Sequence, residues 1–71
     1  MNANNIKIIF NGLDEHLKCD STIADLIKIK DERDINLIVE HNKRYVHSRQ
    51  YSSTVLTHGD RVEFINPNFG G

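Results

Sequence analysis

The chain is poor in the residues that would commit it to several common roles. Its 71 residues include one cysteine, Cys19, so no disulfide can close within it, which fits a reducing compartment. Tryptophan is absent and Pro67 is the single proline. An excess of one charge is missing too, since nine Lys and Arg face ten Asp and Glu for a formal net charge of −1. Without a basic field, nucleic acid is not expected as a partner. No apolar run approaches the roughly 20 residues of a membrane span. The start Met1-Asn2-Ala3-Asn4-Asn5 is polar and carries no signal-peptide core. The expectation is a cytoplasmic module without a membrane partner. Repeats, linkers and low-complexity runs are also lacking.

Groups that could converge on a chemical site are equally scarce. The four histidines, His16, His41, His47 and His58, fall on different elements, and none lies in a C-x-x-C or H-x-x-x-H spacing. No metal site is expected. There is no glycine-rich phosphate loop and no Ser/His/Asp arrangement, so neither a catalytic residue nor a bound cofactor is expected. What remains is an ordinary folding composition, 38% hydrophobic and 27% charged. At this length it makes one small domain, near the lower limit for a self-sufficient core.

The elements can be read in order. Ile6 to Phe10 is rich in β-branched and aromatic residues, and Asn11-Gly12 follows at once, a strong hairpin signal because both residues tolerate positive φ. The returning arm, Glu15 to Cys19, alternates with period two and places Leu17 and Cys19 on one face, where Cys19 reads as a small buried hydrophobe. Thr22 followed by Asp25 resembles a capping box. Behind it, Ile23, Leu26 and Ile27 form one apolar stripe of a helix from about Ile23 to about Lys30. The charged stretch from Lys28 to Asp34 reads as the solvated helix end and a loop. Leu37 to His41 is a third strand, Tyr45-Val46 a short edge strand, and Ser48 to Thr54 a turn or loose helical turn. Val55 and Leu56 supply apolar anchors before the turn His58-Gly59-Asp60. Arg61 to Ile65 alternates again as the last strand. Pro67 cannot donate to a ladder and biases Asn66 away from helix, so pairing stops there.

A hairpin, a helix across it and later strands completing a mixed sheet describe an α+β roll of the ubiquitin-like, β-grasp kind. Four to five strands are expected, with one main helix packed across them and the last strand central, beside the first. The expected division is a domain over residues 1–65 and a flexible tail over 66–71. The core should comprise Ile6, Ile8, Phe10, Leu17, Ile23, Leu26, Ile27, Leu37, Val39, Leu56, Val62 and Phe64. By the same parity Ile9, Ile38 and Ile65 face away from the helix, and they are expected to form an apolar docking patch beside the tail.

The tail ends in Gly70-Gly71. Two glycines cannot hold themselves in place, and they place no side chain in the way of an attack on the last carbonyl. Such an end reads either as simple fraying or as a thread that enters a narrow cleft. Phe69 is the one large side chain in this stretch, folding back on the sheet or anchoring in a partner pocket. Pro67 would stiffen the approach.

Several short motifs occur together: Ile-x-Ile-x-x-Asn-Gly at Ile6 to Gly12, Thr-hydrophobic-x-Asp-Leu at Thr22 to Leu26, then Asn42, Val46 and Tyr51. Leu-x-x-Gly-Asp follows at Leu56 to Asp60, Val-Glu-hydrophobic at Val62 to Phe64, and terminal Gly-Gly. In this order and spacing the chain resembles the small ubiquitin-like sulfur carriers, the ThiS/MoaD-like family, and most closely those of thiamine biosynthesis. It departs from them at His47-Ser48, where Pro-Arg is common, and at Asn66 to Phe69, where an aliphatic residue usually precedes Gly-Gly. The resemblance implies that the Gly71 carboxylate is adenylated by an E1-like adenylyltransferase (ThiF/MoeB-like) using ATP and Mg²⁺. A sulfur nucleophile then converts it to a thiocarboxylate. The sulfur would pass to a synthase, thiazole synthase-like or one serving homocysteine, cysteine or molybdopterin. A ubiquitin-like modifier that is conjugated through Gly71 is the other reading. On either, the chain is a co-substrate rather than an enzyme.

Overall fold

The computed structural model describes residues 4–67. Strand β1 (Asn5–Phe10) turns directly into β2 (Leu13–Lys18), with Phe10 paired to Leu13 across the two-residue connection. Asn11 and Gly12 both take left-handed backbone angles (φ 49° and 87°), the geometry that matches the right-handed twist of the flanking strands. Ile6 lies opposite Leu17, and both are buried with Ile8. The alternation stops one residue earlier than the sequence suggests. Strand β2 ends at Lys18, with one last backbone bond from Cys19 N–H to the Asn4 carbonyl at 2.6 Å, and the chain then bends through Asp20 at φ 70°. Cys19 is therefore exposed rather than packed beside Leu17.

Helix α1 (Ile23–Ile29) starts on the expected capping box. The Asp25 N–H donates to Thr22 Oγ1 at 3.1 Å, and the Thr22 N–H donates to Asp25 Oδ2 at 3.0 Å. Thr22, through its backbone N–H first and its hydroxyl second, holds the Asp25 carboxyl below the usual carboxylate range. The other two orphan donors of the first turn are taken by the later connection: Ile23 N–H by the Thr54 carbonyl and Ala24 N–H by that of Tyr51. The helix ends as a Schellman motif, with Glu32 N–H bonded to the Ile27 carbonyl and Asp31 N–H to that of Lys28. Asp31 occupies the left-handed position (φ 52°) that glycine usually fills.

Strands β3 (Ile38–His41) and β4 (Arg44–Val46) form a second hairpin through Asn42 and Lys43, again both left-handed. A short 3₁₀ turn, Ser48–Gln50, leads to an isolated bridge between Thr22 and Val55. The bridge turns Leu56 inward (1% exposed) and leaves Val55 half exposed, so only the first is an anchor. Strand β5 (Arg61–Ile65) completes a five-stranded mixed sheet in the order β2-β1-β5-β3-β4. It runs parallel to β1 and antiparallel to β3, and is central as expected.

One face of the sheet packs on α1. Ile8, Ile23, Leu26, Leu56, Val39 and Val62 are the largest fully buried side chains, and Ile6, Leu17 and Phe64 lie beside them. Burial of each such side chain stabilises the fold by roughly 1.5–3 kcal/mol. Phe10, Ile27 and Leu37 belong to the shell of this core and are only partly covered. Phe10 meets Phe64 edge-on at 4.9 Å, and the Lys30 ammonium lies 4.9 Å above its ring, bonded to Glu15 at 2.7 Å. Val46 is a core member that sequence reading missed; it is paired to Val39. A three-residue strand is too short for its alternation to be read. Among the described residues no helix is long and apolar enough to cross a membrane.

Candidate functional site: the exit of the carboxy-terminal tail

Strand β5 outruns its parallel neighbour. The last β1·β5 pair is Phe10 with Val62, after which β1 has already turned away. Asn11 fills the missing ladder position. Its N–H donates to the Val62 carbonyl at 3.0 Å, and its Oδ1 accepts the Phe64 N–H at 2.8 Å. One residue thus both makes the hairpin turn and pairs the strand that carries the tail. On the other side β3 continues alongside, with Val39 opposite Phe64 and Ile38 opposite Ile65.

Beyond Ile65 the first tail residue is fastened. Asn66 Nδ2 donates to Glu32 Oε2 and to Asp34 Oδ2, both at 3.2 Å. The loop after α1 presents these oxygens: Glu32 Oε2 also accepts the Asp34 N–H at 2.9 Å, and Asp34 Oδ1 accepts the Asn36 N–H at 2.8 Å. The charged loop thus grips the tail root as well as being solvated. Asn66 itself is exposed and Pro67 half-buried. Phe69, Gly70 and Gly71, together with Asn68, lie outside the described residues.

The expected three-isoleucine patch is divided. Ile38 and Ile65 are direct partners across β3 and β5. Ile9 shares their face of the sheet but sits opposite Arg61, four residues from Ile65 along β5, or about 13 Å at the usual strand rise. Glu63 stands between them, opposite Glu40. Together with Lys43 and Arg61 these carboxylates line a shallow charged depression. Parity gave the face correctly, but it carries no information about register, and register separates Ile9 from the other two.

The Leu-x-x-Gly-Asp turn has a structural role. Asp60 is buried (8% exposed) and accepts from His41 Nε2 at 2.7 Å, Thr57 N–H at 2.9 Å, Thr57 Oγ1 at 3.0 Å and Asn42 Nδ2 at 3.1 Å. Asn42 Oδ1 in turn accepts the Arg61 N–H at 2.8 Å, tying the β3–β4 turn to the start of β5. Gly59, at φ 91°, donates its N–H to the Lys7 carbonyl. Burial pushes the Asp60 carboxyl up, but the bonds from His41, Thr57 and Asn42 outweigh it and bring the pKa down to about 2. The folded value lies below the 3.8 of a free carboxyl. The stabilisation is therefore complete above pH 3.8 and is lost as pH falls through about 2. Its size is on the order of 2 kcal/mol. The urea midpoint is expected to fall between pH 5 and pH 2, and to fall less in Asp60→Asn. An identical pH profile in that variant would remove the carboxylate from the account.

The remaining histidines are apart. His16 is exposed on β2, the His47 ring meets Tyr45 edge-on at 4.8 Å, and His58 Nδ1 accepts the Lys7 N–H at 3.1 Å. Among the described residues no three His, Cys, Asp or Glu side chains are grouped to hold a metal ion.

A five-stranded sheet holding one helix, with its final strand central and the tail leaving from the middle of the sheet, defines a ubiquitin-like β-grasp protein. More particularly, the chain belongs to the ThiS family, whose model matches residues 2–71. No curated protein sequence matches it. Among solved structures it is similar to a thiamine biosynthesis protein (ThiS) from Geobacter metallireducens. That likeness has a TM-score of 0.81 at 20% identity, over 93% of this chain and 100% of the other. At that identity the likeness speaks for the fold.

Proposed function

We propose that this chain is a sulfur carrier for biosynthesis of the thiamine thiazole, and a co-substrate rather than an enzyme. The observation that carries this reading is the joining of a ThiS-family domain to a tail that extends the central strand. A carboxylate is a poor electrophile. The Gly71 carboxyl is therefore activated as an acyl-adenylate by an E1-like adenylyltransferase, which supplies the ATP and Mg²⁺ site. A persulfide displaces AMP to give an acyl disulfide. A thiol of the partner enzyme or a small-molecule thiol then attacks the sulfur of that disulfide distal to the acyl group, forming a new disulfide and releasing the thiocarboxylate at Gly71. This group is ionised at neutral pH and nucleophilic through sulfur. A thiazole synthase-like acceptor would then take the sulfur, in the cytoplasm. Gly70 offers no side chain to hinder the reaction, and Phe69 is assigned as an anchor in the partner. The Ile38–Ile65 pair, beside the tail root, is the apolar docking surface; Ile9, across the charged Glu40 and Glu63, lies outside it.

The test is conversion of the full chain by its cognate adenylating enzyme with ATP, Mg²⁺ and a sulfur donor. The intact mass should rise by the difference between sulfur and oxygen. A chain that keeps its mass, or that appears instead as adducts on lysines of other proteins, would overturn the carrier reading.

A further inference from the structure

The tail leaves the domain through a joint that is stiff on both sides. On the domain side, the Asn66 carboxamide sits between two carboxylates that are themselves fixed by backbone bonds to Asp34 and Asn36. The loop bearing them starts from the closed end of α1, where Glu32 N–H is bonded to the Ile27 carbonyl. On the tail side comes Pro67, whose ring fixes φ and disfavours the helical region for the residue before it. Asn66 is thus restrained twice, by its side chain and by its neighbour. The direction set by β5 is carried past the last strand residue instead of being lost at once.

The residue type fits the place. Two like charges meet at one Nδ2, and a carboxamide donates to both without adding charge. An aspartate there would face two carboxylates and be repelled.

We propose that Asn66 is a positioning residue. Held by Glu32 and Asp34, it fixes the chain at Asn66–Pro67, so that less conformational freedom is lost when the terminal carboxylate enters the partner's cleft. This rests on the carrier reading above. Preorganisation of this kind acts on productive binding, whereas the reacting groups, once threaded, are the same.

The experiment compares the full-length wild-type chain with Asn66→Ala, the loop pair Glu32→Ala/Asp34→Ala, and the triple variant. Each is assayed with the cognate adenylating enzyme under saturating ATP and sulfur donor. Asn66→Ala and the loop pair are each expected to raise KM for the carrier about 3–10-fold with kcat unchanged; Tm should hold in Asn66→Ala and fall in the loop pair, which also loses the bonds to the Asp34 and Asn36 N–H. The triple variant should be no worse than the more impaired of the two, because both changes cut the same two bonds. Asn66→Asp should exceed Asn66→Ala. In the loop pair, the Asn66 side-chain amide should also lose its restrained relaxation in NMR. An unchanged KM in Asn66→Ala would overturn the positioning role. So would tail and loop effects that multiply in the triple variant, since Asn66 would then be touching the enzyme directly. Failure of the wild-type chain to be converted at all would overturn the carrier reading itself, and the positioning role with it.

Discussion

Deleting Gly71 is expected to abolish thiocarboxylate formation while leaving the melting temperature unchanged. An extended chain advances roughly 3.3–3.6 Å per residue, so the new carboxylate would stop about that far short of the ATP phosphate. A displacement on the order of 1 Å can already cost about 10²-fold in rate. The shortened tail therefore has no productive position. The fold is untouched, because the β5 ladder, the Asn11 bonds and the Asn66 tether all lie upstream of residue 68. Conversion is read by intact mass and unfolding by circular dichroism. A deleted chain that is still converted would end the assignment of Gly71.

Leu26→Ala is expected to have the largest effect on stability. Leu26 is fully buried (0% exposed), on the α1 face that meets the sheet. Truncating a leucine at such a site costs about 2–5 kcal/mol, the spread reflecting how far the cavity collapses. At roughly 0.05–0.15 kcal/mol per residue, a domain of this size holds a total stability of the same order. The variant should therefore be largely unfolded at room temperature or melt far below the wild type. Ile29→Ala, on the same helix at 58% exposure, is the control and should stay within about 0.5 kcal/mol. Urea titration of the two variants checks both, and a Leu26→Ala chain as stable as Ile29→Ala would mean that the helix presents a different face.

The sequence was legible wherever the deciding interaction was local. Asn11-Gly12 announces a turn, Thr22 and Asp25 announce a helix start, and the alternation of Arg61 to Ile65 shows which residues of the last strand go inside. Local reading failed at strand ends and in short strands. Cys19 has the parity of a core residue and still bonds to Asn4, but it sits at the end of the hairpin, next to the left-handed Asp20, and is exposed. Val46 is buried although its strand has only three residues. The bonds around the tail root join positions far apart in the chain. Phe64 to Asn11 spans 53 residues, and Asn66 to Glu32 and Asp34 spans 34 and 32. No periodicity foretells such a pairing; an asparagine in a turn and a charged loop each look complete on their own. The motifs of the turn were visible, but their purpose was not. Asp60 and Asn42 tie the β3–β4 turn to the start of β5.

The central place of β5 also bears on how the domain is made. The β1–β2 and β3–β4 hairpins are not neighbours in the sheet; among the described residues β5 is the only strand paired with both. A ribosome delivers it after every other strand, and its pairing with β1 closes a loop of some fifty residues, a long-range step of the kind that slows folding. Without β5 the two hairpins have no strand pairing to join them. The strand that closes the sheet is continuous with Asn66 and Pro67, so a chain in which β5 is not seated has no fixed tail root. An enzyme that reads the domain and the tail together would pass over unfinished or partly opened chains, and activation would act as a check that the carrier has folded.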